Sequence, residues 1–280
     1  MAVQKEIFQG PHGNRTIMME VRKMSECVLY EHRGPVGYLT INRPKALNAL
    51  NEEVLQSLEN TIHLINNDKT IKVVILTGSG EKSFVAGADI AAMKDMTPVQ
   101  ARDFSRLGQR VFRAIETARL VTIAAINGYA LGGGCELAIA CDIRIASEKA
   151  KMGIPEVTLG VFPSFAGTQR LPRLVGLGYA KEMLATAKKV PAEEALRIGL
   201  VNHVVPADQL MERCEALAAE ICQHSTAAIA YGKMSMTAGL EMDMDRALEH
   251  EATLFGLTFS TEDQREGMGA FLEKRPPKFQ

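Results

Sequence analysis

Strand and helix patterns alternate along the first part of the chain. Residues 27–32 and 36–42 are rich in β-forming side chains and are separated by Gly34-Pro35, which predicts a hairpin. Asn51 then precedes two glutamates, as a helix N-cap with an acidic first turn would. Apolar residues at positions 54, 58, 62 and 65 recur at helical spacing, so we expect an amphipathic helix that ends near residues 66–68.

The same alternation continues to residue 160. Short apolar runs predict buried strands at 71–76, 121–126 and 142–146, and helical spacing predicts helices at 98–118 and from the glycine run at 132–134 to residue 140. Residues 151–160 contain Gly and Pro without a regular pattern, which predicts a loop. Strands that alternate with helices through short connections indicate an α/β fold with substantial parallel pairing.

The C-terminal part of the chain has a different pattern. From residue 207 onward strand signals stop, and helical spacing covers 207–222, 225–239, 243–259 and 262–273. We therefore expect an α/β core over residues 25–205 and a helical region over 206–280 that packs on the core or on another subunit. Residues 1–24 include Ile7-Phe8-Gln9-Gly10-Pro11, which resembles a protease cleavage site, and are expected to be a leader or a disordered terminus.

Composition excludes several classes of protein. Hydrophobic residues make up 46% and charged residues 23% of the 280 positions, which is typical of a globular chain. The net charge of -1 gives no reason to expect nucleic acid as the main partner, and the apolar stretch 120–145 contains too many charges and glycines for a membrane span. The five cysteines form no Cys-x-x-Cys pair and show no zinc-site spacing. They predict reduced thiols, a cytoplasmic location and no metal site.

Two glutamates with apolar neighbours are the first candidates for chemistry. The run Gly132-Gly133-Gly134 is by itself typical of a tight turn, although it also lets a ligand approach the free N–H groups of a helix start. Glu136 follows in an apolar helix start, where it either caps the helix electrostatically or points into a pocket. Glu156 lies on a loop marked by Pro and Gly, where an exposed carboxylate is the ordinary interpretation. Two such carboxyls in one pocket could divide acid and base roles between them.

A second glycine loop at residues 84–90 follows the strand at 71–76. One N–H group from this loop and one from the glycine run would make an oxyanion hole with two donors. The six histidines are scattered and no Ser–His–acid constellation is present, which favours structural roles for them. A helical stripe of arginines is more typical of a solvated or subunit-facing surface than of a phosphate or RNA site: Arg102, Arg106, Arg110 and Arg113.

Residues 127–138 resemble the central signature of the crotonase family, and most closely that of its enoyl-CoA hydratases. Residues 84–90, Pro155-Glu156 and residues 167–173 match further motifs of that family in the same order, and the similarity extends from about residue 27 to residue 279. The resemblance implies a spiral of repeated β-β-α turns, followed by a helical region that builds trimers or pairs of trimers. It also implies an acyl-CoA thioester substrate and no cofactor, since CoA is part of the substrate.

The resemblance also assigns roles by position. Ala88 and Gly133 would donate the oxyanion-hole N–H groups, Glu136 would activate water for attack at C3, and Glu156 would supply the proton at C2. The implied reaction is reversible hydration of trans-2-enoyl-CoA to 3-hydroxyacyl-CoA through a thioester enolate. Phe255 and Lys274 would hold the CoA nucleotide, partly from a neighbouring subunit. Other substrate contacts are implied for Ala46, Ala86, Gly87, Asp89, Ile90 and Gly132.

The chain departs from the family pattern next to the expected site. Ser164 and Ala166 replace expected glycines, and Met152 stands where an aromatic residue is common. Together with Phe165 these changes predict a narrowed site for short or unusual acyl chains. The alternative within the family is double-bond isomerisation or thioester hydrolysis, although isomerases commonly lack one of the two glutamates. RNA binding through the arginine stripe is the alternative from another class, and the balanced net charge disfavours it.

Overall fold

Two sheets and the helices between them make up the architecture, which a computed structural model describes for residues 3–9, 16–22 and 25–279. In chain order the strands are β1 (Val3–Gln9), β2 (Thr16–Arg22), β3 (Val28–Arg33), β4 (Val36–Ile41), β5 (Val73–Gly78), β6 (Ser83–Val85), β7 (Val121–Ile126), β8 (Tyr129–Leu131), β9 (Ile143–Ser147), β10 (Lys151–Gly153), β11 (Val190–Pro191) and β12 (His203–Val205). The α-helices are α1 (Glu52–Asn67), α2 (Ile90–Met93), α3 (Pro98–Glu116), α4 (Gly133–Ala140), α5 (Gly167–Val175), α6 (Leu177–Thr186), α7 (Ala192–Arg197), α8 (Leu210–Ile221), α9 (Thr226–Gly239), α10 (Met244–Thr258) and α11 (Glu262–Leu272).

The larger sheet has the strand order β1-β2-β3-β4-β5-β7-β9-β12. Strands β1 to β4 pair antiparallel, and β4, β5, β7, β9 and β12 pair parallel. Val73 of β5 lies opposite Val36 of β4 and Val121 of β7, so these three strands begin level with one another. Strands β1 and β2 lie within residues 1–24, for which a leader or a disordered terminus was predicted, and Gly10-Pro11 of that segment lies outside the described residues.

The smaller sheet has the order β11-β10-β8-β6, in which β6, β8 and β10 run parallel. Each of these short strands follows one long strand of the larger sheet: β6 follows β5, β8 follows β7, and β10 follows β9. One turn of the chain therefore contributes a long strand to one sheet and a short strand to the other, and in the first two turns a helix follows. This arrangement confirms the predicted α/β spiral.

Both faces of the strands β5, β7 and β9 are covered, which explains why these parallel strands are largely apolar without alternation. Val74 and Leu76 of β5 face the main core, while Val73 and Ile75 face a second apolar cluster to which α8 contributes Leu210, Cys214 and Ala218. The next helix is tied to the same sheet, because the Lys233 ammonium of α9 donates to Asp142 Oδ2 at 2.6 Å and to the Ala118 carbonyl at 3.0 Å. The first two helices of the C-terminal region thus pack against the larger sheet, and α10 and α11 contact α9.

The long elements confirm the predictions and the shortest ones do not. Asn51 caps α1 by accepting from the Val54 N–H at 3.0 Å, and all four predicted C-terminal helices are present. The predicted loop at 151–160 was wrong, since it holds β10 and a 3₁₀ helix at Pro155–Leu159. Among the described residues, none of the helices has the length and apolar character needed to cross a membrane.

Candidate active site

The carboxyl ends of β6, β8 and β10 lie side by side because the three strands are parallel neighbours. The residues that follow these ends, at 86–88, 132–133 and 155–156, line one cavity of about 540 Å³ together with Glu136. Side chains of α3 and of residues 158–165 complete its wall. Ligands commonly bind at the carboxyl ends of parallel strands, since the loops that leave those ends converge there. The sheet topology therefore brings the two glycine loops and the two glutamates to one place.

Backbone pairing with Leu50 fixes the direction of the Ala88 N–H group. Leu50 forms an isolated parallel bridge with Ala88: its N–H donates to the Gly87 carbonyl at 2.9 Å, and its carbonyl accepts from the Asp89 N–H at 2.8 Å. Across a trans peptide bond, the carbonyl group of one residue and the N–H group of the next point in opposite directions. Because the Gly87 carbonyl points to Leu50, the N–H group of Ala88 points away from Leu50, and Ala88 is one of the residues that line the cavity.

The start of α4 supplies a second donor of the same kind. Gly133 is the first residue of α4, and the N–H groups in the first turn of a helix have no acceptor within the helix. The positions on either side of Gly133 must be glycine, because other atoms lie too close for a side chain. A Cβ atom at Gly134 would lie 1.9 Å from the Val85 carbonyl oxygen, and one at Gly132 would lie 2.8 Å from Glu156 Oε1. The glycine run therefore lets α4 pack against β6 and leaves room for the Glu156 carboxyl.

The carboxyl group of Glu136 is buried and held by two peptide N–H groups. Its Oε1 atom accepts from the Phe165 N–H at 2.8 Å and from the Gly167 N–H at 2.7 Å. Burial raises the pKa of Glu136 to about 8, the Glu156 carboxyl adds to the rise, and the two N–H donors act in the opposite direction. Glu136 thus points into the pocket, which decides between the two roles that its sequence left open.

Glu156 lies across the same cavity in a different environment. Its Oε2 atom is buried and has no hydrogen-bond partner among the residues that the structure describes. Burial raises the pKa of this carboxyl to about 7. With both values near neutrality the pair can hold one proton between its members, as proton transfer in two directions requires. The two N–H donors favour the ionised form of Glu136.

Phe165 closes the inner end of the cavity. Its ring is only 3% exposed and makes edge contacts with Phe104 and Phe112, at centroid distances of 5.3 and 5.5 Å. A Cβ atom at Gly108 would lie 2.2 Å from Phe165 Cδ1, so α3 can pass the ring only at a glycine. The outer end is open and apolar, with Leu159 and Phe162 exposed at 58% and 63%.

The structure separates the remaining predicted site residues. Ala86, Gly87, Ile90 and Gly132 line the cavity with the four residues described above. Asp89 lies beside the cavity and pairs with Arg43 at 2.9 Å, while Ala46 lines a surface cleft next to Arg43. Phe255 is 63% exposed and lines a different hollow in the helical region. Lys274 lies just past the end of α11, and neither of these two is among the residues that line the cavity.

The arginine stripe is exposed, and carboxylates accompany most of it. Arg102 pairs with Asp103, Arg110 with Glu59, and Arg113 with Glu116. These ion pairs reduce the positive potential that a nucleic acid would need. Phe104 and Ser105 of the same helix line the cavity, and neither was predicted from the sequence as a site residue. The apolar spacing on α3 could have predicted that Phe104 faces the interior, whereas no motif in the sequence distinguishes Ser105 from other serines.

Comparison with known proteins identifies the family of the chain. A family model described as enoyl-CoA hydratase/isomerase matches residues 31–280. The crotonyl-CoA hydratase of Syntrophomonas wolfei is 50% identical over 254 residues, covering 91% of this chain and 98% of that protein. A short-chain-enoyl-CoA hydratase of Clostridium acetobutylicum is 52% identical over 248 residues, covering 89% and 95%. The crystal structure of an enoyl-CoA hydratase from Bacillus anthracis matches with a TM-score of 0.87 at 38% identity, covering 90% of this chain and 98% of that chain.

Proposed function

Because the chain belongs to the enoyl-CoA hydratase/isomerase family and is an enzyme that hydrates enoyl-CoA thioesters, we propose that the reaction takes place in the cavity between Glu136 and Glu156. The observation that supports this site is the pair of carboxyls, both with a pKa raised toward neutrality by burial, at the ends of neighbouring strands. Hydration needs a base for water and an acid for carbon, and this pair supplies both.

In the proposed mechanism the thioester oxygen accepts hydrogen bonds from the Ala88 and Gly133 N–H groups. Glu136, whose ionised form is favoured by the Phe165 and Gly167 N–H groups, takes a proton from water as the oxygen attacks C3. The electron pair of the double bond moves toward the thioester, and the resulting enolate is stabilised by the two N–H donors. Glu156 then gives its proton to C2, which completes the 3-hydroxyacyl thioester. The reverse sequence removes water from that product, so the reaction is reversible.

Double-bond isomerisation and thioester hydrolysis are the alternatives within the family. Isomerisation moves one proton between two carbons, which a single carboxyl can do. The second buried carboxyl has no role in that reaction, so the presence of both Glu136 and Glu156 in the cavity favours hydration.

The acyl group is proposed to be short. Phe165 fills the inner end of the cavity, and the two relatives named above are called crotonyl-CoA hydratase and short-chain-enoyl-CoA hydratase. A packed aromatic wall cannot yield to a longer chain without strain elsewhere in the core.

We further propose that the protein works as a trimer, or a pair of trimers, in the cytoplasm and without a cofactor. The apolar side chains of α9 and α11 support the assembly, since Met236, Leu240, Phe271 and Leu272 are each more than 75% exposed in the single chain. The five free cysteines, four of them buried, suit a reducing compartment.

The test is hydration of crotonyl-CoA, followed as loss of the enoyl-thioester absorbance, by the parent and by Glu136→Gln and Glu156→Gln. Glutamine keeps the shape of each side chain but cannot exchange a proton, so each single variant should lose about 100- to 10,000-fold in rate. The double variant should lose much less than the product of the two losses, because the pair acts as a unit. Binding of the CoA thioester should persist in all three, since the backbone donors are unchanged.

A Glu156→Gln variant that hydrates at the parental rate would refute the acid–base assignment. A parent that only shifts double bonds and never adds water would refute the reaction itself.

A further inference from the structure

The peptide that links Ser164 to Phe165 is held at both ends. Its N–H group donates to Glu136 Oε1 at 2.8 Å. Its carbonyl oxygen, on Ser164, accepts from Ser105 Oγ at 2.8 Å and from Gln109 Nε2 at 2.9 Å. Ser105 and Gln109 lie one turn apart on α3 and also contact each other, with Gln109 Nε2 donating to Ser105 Oγ at 3.2 Å. One rigid plane of atoms therefore connects two side chains of α3 to the proposed base.

The second peptide that donates to Glu136 is held in a similar way. Its N–H group, on Gly167, lies 2.7 Å from Glu136 Oε1. Its carbonyl, on Ala166, accepts the N–H groups of Gln169 and Arg170 at 3.0 and 2.9 Å in the first turn of α5. The two supports differ in kind: backbone donors of a helix fix the Ala166 carbonyl, whereas side chains of another helix fix the Ser164 carbonyl.

The geometry points to Ser105 and Gln109 as positioning residues for Glu136, acting through the Ser164–Phe165 peptide. Donors on a carbonyl oxygen polarise the whole peptide and strengthen the hydrogen bond that its N–H group makes. They also fix the direction of that N–H group, and a peptide plane cannot turn without breaking both contacts. Neither side chain hydrogen-bonds Glu136 itself. This inference rests on the proposed role of Glu136 as the base that activates water.

The backbone conformation of Ala166 explains why the loop 163–166 needs hydrogen bonds from α3. Ala166 has a φ of 77°, in the left-handed region that disfavours residues with a side chain. The loop 163–166 is thus held in a conformation that its own sequence does not favour. Contacts from outside the loop must supply the stability, and α3 provides them at Ser164 while Arg170 donates to the Phe165 carbonyl at 3.2 Å.

Two charged groups near Glu136 help to set its pKa, which the hydrogen bonds from Ser105 and Gln109 to the Ser164 carbonyl should also affect. Glu156 faces it from the 3₁₀ helix and raises its pKa, and Arg170 faces it from α5 and lowers its pKa. The neighbouring Cys135 thiol is fully buried, which raises the pKa of that thiol and keeps it neutral. Against this fixed background, weakening the Phe165 N–H donor should raise the pKa of Glu136, because the ionised form loses part of its stabilisation.

The experiment compares Ser105→Ala, Gln109→Ala and the variant with both changes by the pH profile of kcat/KM for crotonyl-CoA hydration. The acid limb, which reports the lower apparent pKa of the coupled Glu136–Glu156 pair in the free enzyme, should move to higher pH by up to about half a unit in the double variant. The value of kcat at pH 7 should fall about tenfold while KM stays near the parental value, since a misdirected base affects the chemical step. Ser105→Thr retains the hydroxyl group and should restore the parental limb.

The matched control is Gln100→Ala, which breaks the capping box with Thr97 at the start of the same helix. It loosens α3 without touching the Ser164 carbonyl, so its acid limb should stay in place. Gln109 is exposed, so Gln109→Ala should fold and its pH profile can be measured even if Ser105→Ala is unstable. An unmoved acid limb in the double variant, with Glu136→Gln inactive, would overturn this inference and leave the proposed function standing. An active Glu136→Gln would overturn both.

Discussion

Replacing Phe165 with alanine should shift the proposed short-chain preference of the enzyme toward longer acyl chains. The ring occupies the inner end of the cavity, against Phe104 and the glycine faces at 108 and 133. Its removal opens space for roughly two to three further methylene groups, each worth about 0.8 kcal/mol on burial. The total of about 2 kcal/mol corresponds to a rise of roughly 30-fold in the ratio of kcat/KM for the eight-carbon over the four-carbon enoyl thioester.

Phe165→Ala also lowers the free energy of unfolding, so the assay must separate the change in chain-length preference from the loss of stability. Loss of a buried Phe side chain costs about 3–5 kcal/mol, out of a stability of roughly 5–15 kcal/mol for a typical domain. The backbone N–H group at position 165, which donates to Glu136, is retained in the variant. Hydration should therefore be measured at 25 °C across four-, six-, eight- and ten-carbon thioesters, with folding checked by circular dichroism.

Phe112→Leu is the matched control for this prediction. Phe112 packs on the side of the Phe165 ring that faces the core and is not among the residues that line the cavity. It should lower stability without changing the ratio of activities on long and short chains. A folded Phe165→Ala variant whose ratio equals that of the parent would show that the acyl chain does not approach Phe165, and would refute the proposed basis of chain-length preference.

Three further predictions concern strain, pH and assembly. Ala166→Gly should raise Tm by about 2 °C with little change in activity, because the φ of 77° costs a residue with a Cβ about 1 kcal/mol; a lower Tm in calorimetry would contradict this. Burial raises the pKa of both carboxyls in the folded protein above that in the unfolded chain, so the parent loses stability as pH rises from about 5 to about 8. The variant with Gln at both 136 and 156 lacks these two groups, and its Tm should therefore rise relative to that of the parent over the same range. A Tm difference that does not vary with pH would exclude that linkage. Sedimentation velocity at micromolar concentration should give a particle of at least three times 30.6 kDa, since α9 and α11 leave apolar side chains exposed; a purely monomeric species would refute the trimer.

The sequence predicted long elements well and short ones poorly, for a physical reason. Six residues of β7 or sixteen of α1 contain enough positions to reveal a period, and Asn51 adds a cap that only a helix start requires. Strands β6, β8 and β10 have three residues each, which is too few to show alternation. They exist because each pairs with a neighbour in another turn, and such pairing leaves no local signal.

The same distinction applies to the site. The sequence marked both glycine loops and both glutamates as candidates, and the resemblance assigned their roles, because these features are local motifs. It did not reveal what holds Glu136, since its two N–H donors come from residues 29 and 31 positions away. The contact between Ser105 and Ser164 spans 59 positions. Phe255 and Lys274 remain predictions that depend on a neighbouring subunit.

The way α8 covers the larger sheet has a consequence for the chain during its synthesis. The outer side chains of β5, β7 and β9, including Ile75, Ile123 and Ile145, are apolar and are buried under residues from 210 onward. A nascent or truncated chain that stops before α8 would display them as a continuous apolar surface, of the kind that promotes aggregation and chaperone capture. The turns of the spiral precede α8 in the chain, so this apolar face of the sheet is covered only after α8 has been synthesised and has packed on it.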